Sequence, residues 1–221
     1  TWRNDKQGLI DYLSELTSSP VRDFFRPHFF VNTPDINPIF LQRSGRPGFL
    51  IRAALATTLS GLWGMYSGFE LCEAEALPGR EEYKDSEKYE IKPRDWTKGR
   101  HIIAEITQLN RIRKNNPALQ THLGLTFYNA FDDRVIYYGK ATAARDSVIL
   151  VLINLDPFNQ ATFSFELPLW EWGLGDNAAL EIDDLLNDRS SVREGKLQWL
   201  TLDPHHQPYA IWRVRPAGGQ R

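Results

Sequence analysis

The chain contains one cysteine, Cys72, and one methionine among 221 residues. A single thiol cannot form an internal disulfide, so we expect a reducing, cytoplasmic environment. No apolar run reaches the roughly 18 residues that a membrane span requires, and a membrane-bound role is therefore not expected. The formal net charge is −2, which gives no reason to expect binding to nucleic acid or to an anionic membrane surface.

Aromatic residues are plentiful by comparison, and the apolar residues follow two different periodicities. In the first half, residues 5–16, 48–59 and 101–114 carry apolar side chains at helical spacing. Residues 24–31, interrupted at Pro27, and residues 62–66 are short apolar runs that predict buried strands. Strands that alternate with helices are typical of a parallel sheet, and we predict one for this half.

The second half consists of short runs rich in β-branched and aromatic residues, separated by turn residues. They lie at residues 124–129, 135–139, 147–154, 161–167, 197–202 and 208–214. This spacing predicts an antiparallel β-sandwich. We expect the domain boundary near Leu119, which divides the chain into residues 1–119 and 120–221.

The stretch FFVNTPDINP ends an apolar run in a polar turn that is stiffened by two prolines and presents one carboxylate, Asp35. An isolated Asn-Thr-Pro-Asp is most simply a turn cap, because Asp and Asn are common in turns. A polar loop at residues 73–96 is long enough to suggest a function. Within it, Lys88 and Tyr89 are either part of a solvated charged surface or donors suited to sugar hydroxyls.

Three motifs together resemble the α-amylase clan, glycoside hydrolase family 13. VNTPD at residues 31–35 is similar to the end of the seventh barrel strand, SGLWGMYSGFE at 60–70 to the eighth, and LNRIRKNNPAL at 109–119 to the last barrel helix. Within the clan, TWRN, FRPHFFVNTPDI and EYKDSEKYEI resemble the maltosyltransferase group, which has a proline, here Pro34, where many amylases have a histidine. The resemblance implies the C-terminal portion of a (β/α)8 barrel followed by an antiparallel β-sandwich domain.

The resemblance also implies a site. Retaining glycosyl transfer needs a nucleophile and an acid/base, which the family carries at the ends of strands four and five. Both belong upstream of Thr1, so we expect a cut piece of a longer protein that is inactive alone. Asp35 resembles the clan's third catalytic carboxylate, which holds the sugar hydroxyls. Lys88 and Tyr89 resemble a substrate-binding pair, and Asn32 is a further substrate-binding candidate.

The implied substrates are maltose 1-phosphate as donor and an α-1,4-glucan as acceptor, and the implied assembly is a homodimer. No cofactor or metal is implied, because the chemistry needs only carboxylates. Two other functions stay open. One is that of another clan member, a hydrolase or a trehalose-forming enzyme, and the other is that of a non-catalytic glucan-binding module.

Several other conspicuous residues have simpler interpretations. Cys72 is expected to be a small buried residue rather than a nucleophile. His205 and His206 lack a partner at metal-ligand spacing, so no zinc site is expected. Four tryptophans of the second half are expected to fill the sandwich core rather than to stack on sugars: Trp170, Trp172, Trp199 and Trp212.

Overall fold

The computed structural model describes residues 3–86, 91–97 and 99–218. Within these residues, the helices are α1 (Lys6–Thr17), α2 (Val21–Phe24), α3 (Ile39–Leu59) and α4 (Ile103–Asn115). The strands are β1 (His28–Phe30), β2 (Leu62–Gly64), β3 (Leu125–Phe127), β4 (Val135–Ala141), β5 (Val148–Asn154), β6 (Ala161–Glu166), β7 (Ala179–Asp184), β8 (Arg189–Glu194), β9 (Leu197–Leu202) and β10 (Tyr209–Pro216). In this part of the chain, no helix is long and apolar enough to cross a membrane.

A βαβ unit organises the first half. Strands β1 and β2 pair in parallel, with Phe29 opposite Trp63, and α3 forms the crossover between them. Helix α3 is kinked at Gly45, whose φ of 58° lies in the left-handed region that glycine adopts without strain. After the kink, Pro47 and every following residue to Leu59 are buried, as expected for an alanine-rich helix that packs on all sides. The parallel pairing confirms the βα interpretation of this half.

Two antiparallel sheets form the second half. The larger has six strands in the order β3-β4-β5-β10-β7-β8, and the smaller consists of β6 and β9. All their pairings are antiparallel. The prediction of antiparallel sheets is therefore confirmed, although β7 and β8 were not expected from the sequence.

The two faces of the six-stranded sheet belong to different hydrophobic cores. Side chains such as Tyr138 and Val151 pack with the helices, and the Tyr138 hydroxyl lies 2.6 Å from Thr58 Oγ1 on α3. The alternate positions, such as Leu150 and Leu152, pack against β6 and β9. Alternate residues of one strand point to opposite faces. The six-stranded sheet therefore packs against the helices of the first half with one face and against the small sheet with the other.

Two expectations for aromatic residues are wrong. Residues 24–31 do not form one buried strand: Phe24 ends α2 and is 73% exposed, and β1 has only three residues. Of the four tryptophans, Trp212 is buried and Trp172 half-buried, whereas Trp170 and Trp199 are 46% and 65% exposed. An apolar run predicts burial only where another layer covers it, and the sequence does not show which layers do.

Candidate active site

A tight turn presents Asp35 just beyond the carboxyl end of β1. The backbone N–H of Thr33 donates to the Ile36 carbonyl at 3.1 Å, and the N–H of Ile36 donates back to the Thr33 carbonyl at 3.2 Å. The Asp35 N–H also donates to Thr33 Oγ1 at 3.3 Å. Pro34 and Asp35 form the exposed tip. The backbone around this carboxylate is therefore fixed by the proline ring and by three hydrogen bonds.

Asn32 lies directly before this turn and is completely buried. Its amide nitrogen donates to the Tyr83 hydroxyl at 2.6 Å, and its amide oxygen accepts from the Tyr66 N–H at 2.8 Å. Burial raises the pKa of Tyr83 to about 12, so the phenol stays neutral and able to share this hydrogen bond. One side chain thus joins three segments: the end of β1, the residues after β2, and the long polar loop.

The long loop packs against the Asp35 turn at several points. The Asn37 amide nitrogen donates to the Ala74 carbonyl at 3.0 Å, and the Asn37 N–H donates to the Glu81 carbonyl at 2.8 Å. Ser86 Oγ donates to the Pro34 carbonyl at 3.4 Å, at the tip of the turn. The described part of the loop therefore forms one wall beside Asp35.

A charged cluster anchors the end of the same loop. Arg94, whose side chain is buried, lies 3.1 Å from Glu73 and donates to the Ser67 carbonyl at 3.0 Å. Lys92 lies 3.4 Å from Glu73. Two cations around one carboxylate connect the two ends of the loop to the residues after β2, so the loop is held without a regular secondary structure.

The structure therefore brings Asn32 and Asp35 together, while Lys88 and Tyr89 lie outside the described residues. Sequence reasoning missed Tyr83 and Tyr66, whose rings are 5.5 Å apart and which contact Asn32. The available signal for Tyr83 was an aromatic residue inside an otherwise charged run, which indicates burial in a loop.

Other candidate groups carry less chemistry. Burial raises the pKa of Cys72 to about 12, which keeps the thiol protonated and unreactive at neutral pH. His206 lies 3.9 Å from Asp203 on the surface. Across the described ranges, no group of three or more His, Cys, Asp or Glu side chains could hold a metal ion. A cavity of about 340 Å³ lies between β1, α1 and α3, and its lining includes Thr33 but neither Asn32 nor Asp35.

The sequence is similar to a set of curated bacterial proteins. Residues 127–214 match the family model described as GLGE, C-terminal. The α-1,4-glucan:maltose-1-phosphate maltosyltransferase of Pseudomonas aeruginosa is 63% identical over 215 residues, which cover 97% of this chain and 32% of that protein. The enzyme of the same name from Cereibacter sphaeroides is 50% identical over 221 residues, which cover 100% of this chain and 33% of that protein. The chain spans about a third of the length of these two relatives.

Solved structures with a similar fold are amylase-like. The α-amylase of Geobacillus thermoleovorans, determined with acarbose, matches 98% of this chain and 45% of its own with a TM-score of 0.67 at 15% identity. A γ-CGTase from Alkalophilic bacillus clarkii matches 97% of this chain and 29% of its own with a TM-score of 0.63 at 18% identity. At such identities the likeness concerns the fold alone. The resemblance drawn from the motifs is thus confirmed: over nearly its whole length, this chain is similar to the C-terminal part of α-1,4-glucan:maltose-1-phosphate maltosyltransferases.

Proposed function

We propose that this chain is the C-terminal portion of a retaining glycosyltransferase that transfers maltosyl units from maltose 1-phosphate to α-1,4-glucans and releases inorganic phosphate. The observation that carries the proposal is the 63% identity over 215 residues to a maltosyltransferase. The amylase-like structures support only a shared fold, because they are 15–18% identical to this chain. They do not favour hydrolysis over transfer.

Asp35 is the proposed third carboxylate of the active site. In a retaining mechanism a nucleophilic carboxylate displaces phosphate from the anomeric carbon, and the acceptor hydroxyl then displaces the carboxylate while an acid/base moves the proton. Both displacements develop positive charge on the sugar ring, which fixed negative charge stabilises. Asp35 suits this role because it is exposed beyond the carboxyl end of a parallel strand, on a turn that its own hydrogen bonds fix.

Asn32, which the sequence predicts to bind substrate, is instead proposed to act by positioning, because its amide is completely buried between Tyr83 and Tyr66. It would keep the loop wall beside Asp35. Lys88 and Tyr89 are proposed to bind the maltosyl unit from that loop. The supporting observation is that Ser86, two residues earlier in the sequence, contacts Pro34.

The proposal extends to the architecture of the whole protein. Residues 1–119 would be the last part of a (β/α)8 barrel and residues 120–221 its β-sandwich domain. The β1–α3–β2 unit supports the barrel, because consecutive parallel strands joined by a helix are its repeating element. The nucleophile and the acid/base would be supplied by preceding residues. A cytoplasmic homodimer is the proposed state, supported by the single cysteine for the compartment and by family resemblance for the dimer.

The test is phosphate release from maltose 1-phosphate and a short α-1,4-maltooligosaccharide, measured with the full-length polypeptide. We expect release coupled to chain growth, and a loss of about 10³-fold or more in kcat/KM for Asp35→Asn. Asp133→Asn, at an exposed position in the β3–β4 turn, should leave the rate unchanged. Release of free sugar or trehalose would instead support another clan member, and glucan binding without turnover would support a binding module.

A further inference from the structure

The turn that follows β2 is shaped to receive an ion pair. The Gly68 carbonyl accepts hydrogen bonds from the N–H groups of Leu71 and Glu73, at 3.1 and 3.0 Å, and these bonds close the turn. Gly68 has a φ of 99°, in the region that favours glycine. A Cβ atom at this position would overlap the Glu73 carboxylate and lie 3.0 Å from Arg94 Nε. The ion pair between Arg94 and Glu73 therefore packs directly against the backbone of this turn.

Arg94 binds the turn through all three nitrogens of its guanidinium. Nε donates to both carboxylate oxygens of Glu73, at 3.2 and 3.1 Å. The two terminal nitrogens donate to Ser67, one to Oγ at 3.2 Å and the other to the carbonyl at 3.0 Å. The side chain of Arg94 is only 4% exposed. Removing such a pair from water offsets much of its attraction, so we expect it to contribute more to the position of the loop than to the stability of the protein.

A further set of contacts links Arg94 to the residues around Asp35. The guanidinium carbon of Arg94 lies 6.0 Å from the centroid of the Tyr66 ring. The Tyr66 N–H donates to the Asn32 side chain at 2.8 Å. Tyr66 also lies beside Tyr83, with the two ring centroids 5.5 Å apart. Through Tyr66, Arg94 is therefore connected to the side chain that precedes the Asp35 turn.

The long loop is held at two points, Tyr83 and Arg94. Between these points and Glu73, the described residues form an isolated β-bridge but neither a helix nor a longer strand. Asn32 holds the first part of the loop through Tyr83. Ser67 and Glu73 hold the second part through Arg94. Because the described part of the loop has so little regular structure, these side-chain contacts determine its path and limit the conformations it can adopt.

We propose that Arg94 is a positioning residue for sugar binding, because it keeps the long loop in place beside the Asp35 turn, where the donor sugar binds. This proposal rests on the proposed function, from which it takes the sugar and the role of Asp35. Arg94 itself would not touch the sugar, since its side chain is buried against Ser67 and Glu73. The competing explanation is that the ion pair only stabilises the fold.

Steady-state kinetics of the full-length polypeptide test the proposal, with maltose 1-phosphate as the varied substrate and phosphate release as the readout. For Arg94→Gln we expect KM to rise about tenfold and kcat to change less than about twofold, because contacts with the non-reacting part of a substrate stabilise the ground state and the transition state equally. Arg80→Gln is the matched control. Arg80 belongs to the same loop, but its side chain is 64% exposed and lies 3.5 Å from Glu82. Its KM should change less than about twofold.

Two further measurements separate positioning from folding. Lys92 lies 3.4 Å from Glu73 and keeps a cation beside this carboxylate in Arg94→Gln, so the variant should fold. We expect its melting temperature to stay within about 3 °C of that of the unaltered protein. Residues 73–86 should exchange hydrogen for deuterium faster in Arg94→Gln than in Arg80→Gln, which would place the change in the loop.

Two milder changes test whether the groups act together. Ser67→Ala removes one acceptor at an exposed position and should raise KM about threefold. Glu73→Gln should raise KM by about the same factor as Arg94→Gln, and the double variant should raise it no further. Multiplied effects in the double variant would show that Glu73 and Arg94 act independently, and the positioning role of the pair would then be wrong.

The outcomes distinguish failure of this role from failure of the proposed function. Phosphate release with an unchanged KM in Arg94→Gln, or with equal changes in Arg94→Gln and Arg80→Gln, would reject the positioning role and keep the enzyme. If Arg94→Gln does not fold, an unchanged KM in Ser67→Ala would reject the role in the same way. Absence of phosphate release from the unaltered polypeptide would reject both proposals.

Discussion

Strands β5 and β8 belong to the same six-stranded sheet and differ in almost every other respect. All seven residues of β5 are buried, whereas five of the six residues of β8 are exposed. Strand β5 pairs with β4 and β10 on its two sides, and it is covered by α3 on one face and by the small sheet on the other. Strand β8 pairs with β7 alone, at the edge of the six-stranded sheet.

The comparison shows how the coverage of a strand by other layers is reflected in its composition. A strand covered on both faces reads as a continuous apolar run, as VILVLIN does in β5. A strand that is mostly exposed can be polar at nearly every position, as RSSVRE is in β8, where Val192 is the one apolar residue. Strand β5 is buried and hydrogen-bonded on both sides, whereas β8 is exposed and hydrogen-bonded on one, so the stability of the sheet should depend on β5 and tolerate change in β8.

The largest expected effect is at the centre of the sheet. Leu150→Ala removes a fully buried side chain from the core between the two sheets and should lower the free energy of unfolding by about 2–5 kcal/mol. Val192→Ala, on β8, should change it by less than about 0.5 kcal/mol. Urea unfolding followed by tryptophan fluorescence measures both. Comparable losses at the two positions would contradict the view that layer coverage sets the energetics.

The same contrast explains how much of the fold the sequence predicts. The run in β5 and the helical spacing in α1, α3 and α4 are local patterns, and their elements form near the predicted positions, although α3 begins at Ile39 rather than at residue 48. Strand β7 has a short alternation of Leu180 and Ile182, and β8 has no alternation of apolar residues at all. Both depend on a partner strand rather than on their own pattern, so periodicity could not identify them.

The candidate site also has a part that follows from local sequence and a part that depends on remote contacts. The prediction of Asp35 as a site residue rests on a local motif, and the tight turn around it forms within four residues. The partners of Asn32 are remote: Tyr83 is 51 residues away in sequence and Tyr66 is 34. A hydrogen bond over such a separation leaves no periodic signal. The contact could not be predicted from one sequence; the local signal is that Tyr83 is an aromatic residue within a charged loop.

A second prediction concerns the side-chain amide of Asn32, which is buried although it lies outside any strand. Asn32→Ala leaves the Tyr83 hydroxyl and the Tyr66 N–H without their partner and should cost about 1–3 kcal/mol of unfolding free energy. Tyr83→Phe removes only the hydroxyl and should cost about 1 kcal/mol. Faster hydrogen exchange in residues 73–86 of Asn32→Ala would localise the loss to the loop.

A double variant provides the control for that pair. Because both substitutions remove the same hydrogen bond, Asn32→Ala with Tyr83→Phe should destabilise by less than the sum of the single changes. Strict additivity would show that the amide and the phenol act independently, and the joining role of Asn32 would then be wrong.

The smallest effect on the free energy of unfolding at neutral pH is expected for Lys140. It is also the sharpest test of the contrast between covered and exposed strands. This lysine lies on β4, the covered neighbour of β5, and its amine donates to the Thr121 carbonyl at 2.8 Å and to the Leu123 carbonyl. Burial lowers its pKa from 10.5 to about 7. Above pH 7 the unfolded chain therefore binds more protons at this position than the folded protein, so stability should rise with pH.

The expected slope approaches about 1.4 kcal/mol per pH unit where Lys140 is neutral in the folded state. Urea unfolding between pH 7 and about 8 measures it, below the pKa of the thiol (about 8.5) and of the tyrosines (about 10) in the unfolded chain. Lys140→Met should abolish the slope. Lys6→Met, which removes an amine that also donates to two carbonyls from a half-buried position, should preserve it. An unchanged slope in Lys140→Met would show that a covered strand can hold a charged amine throughout this range, because its two carbonyl acceptors offset the loss of water.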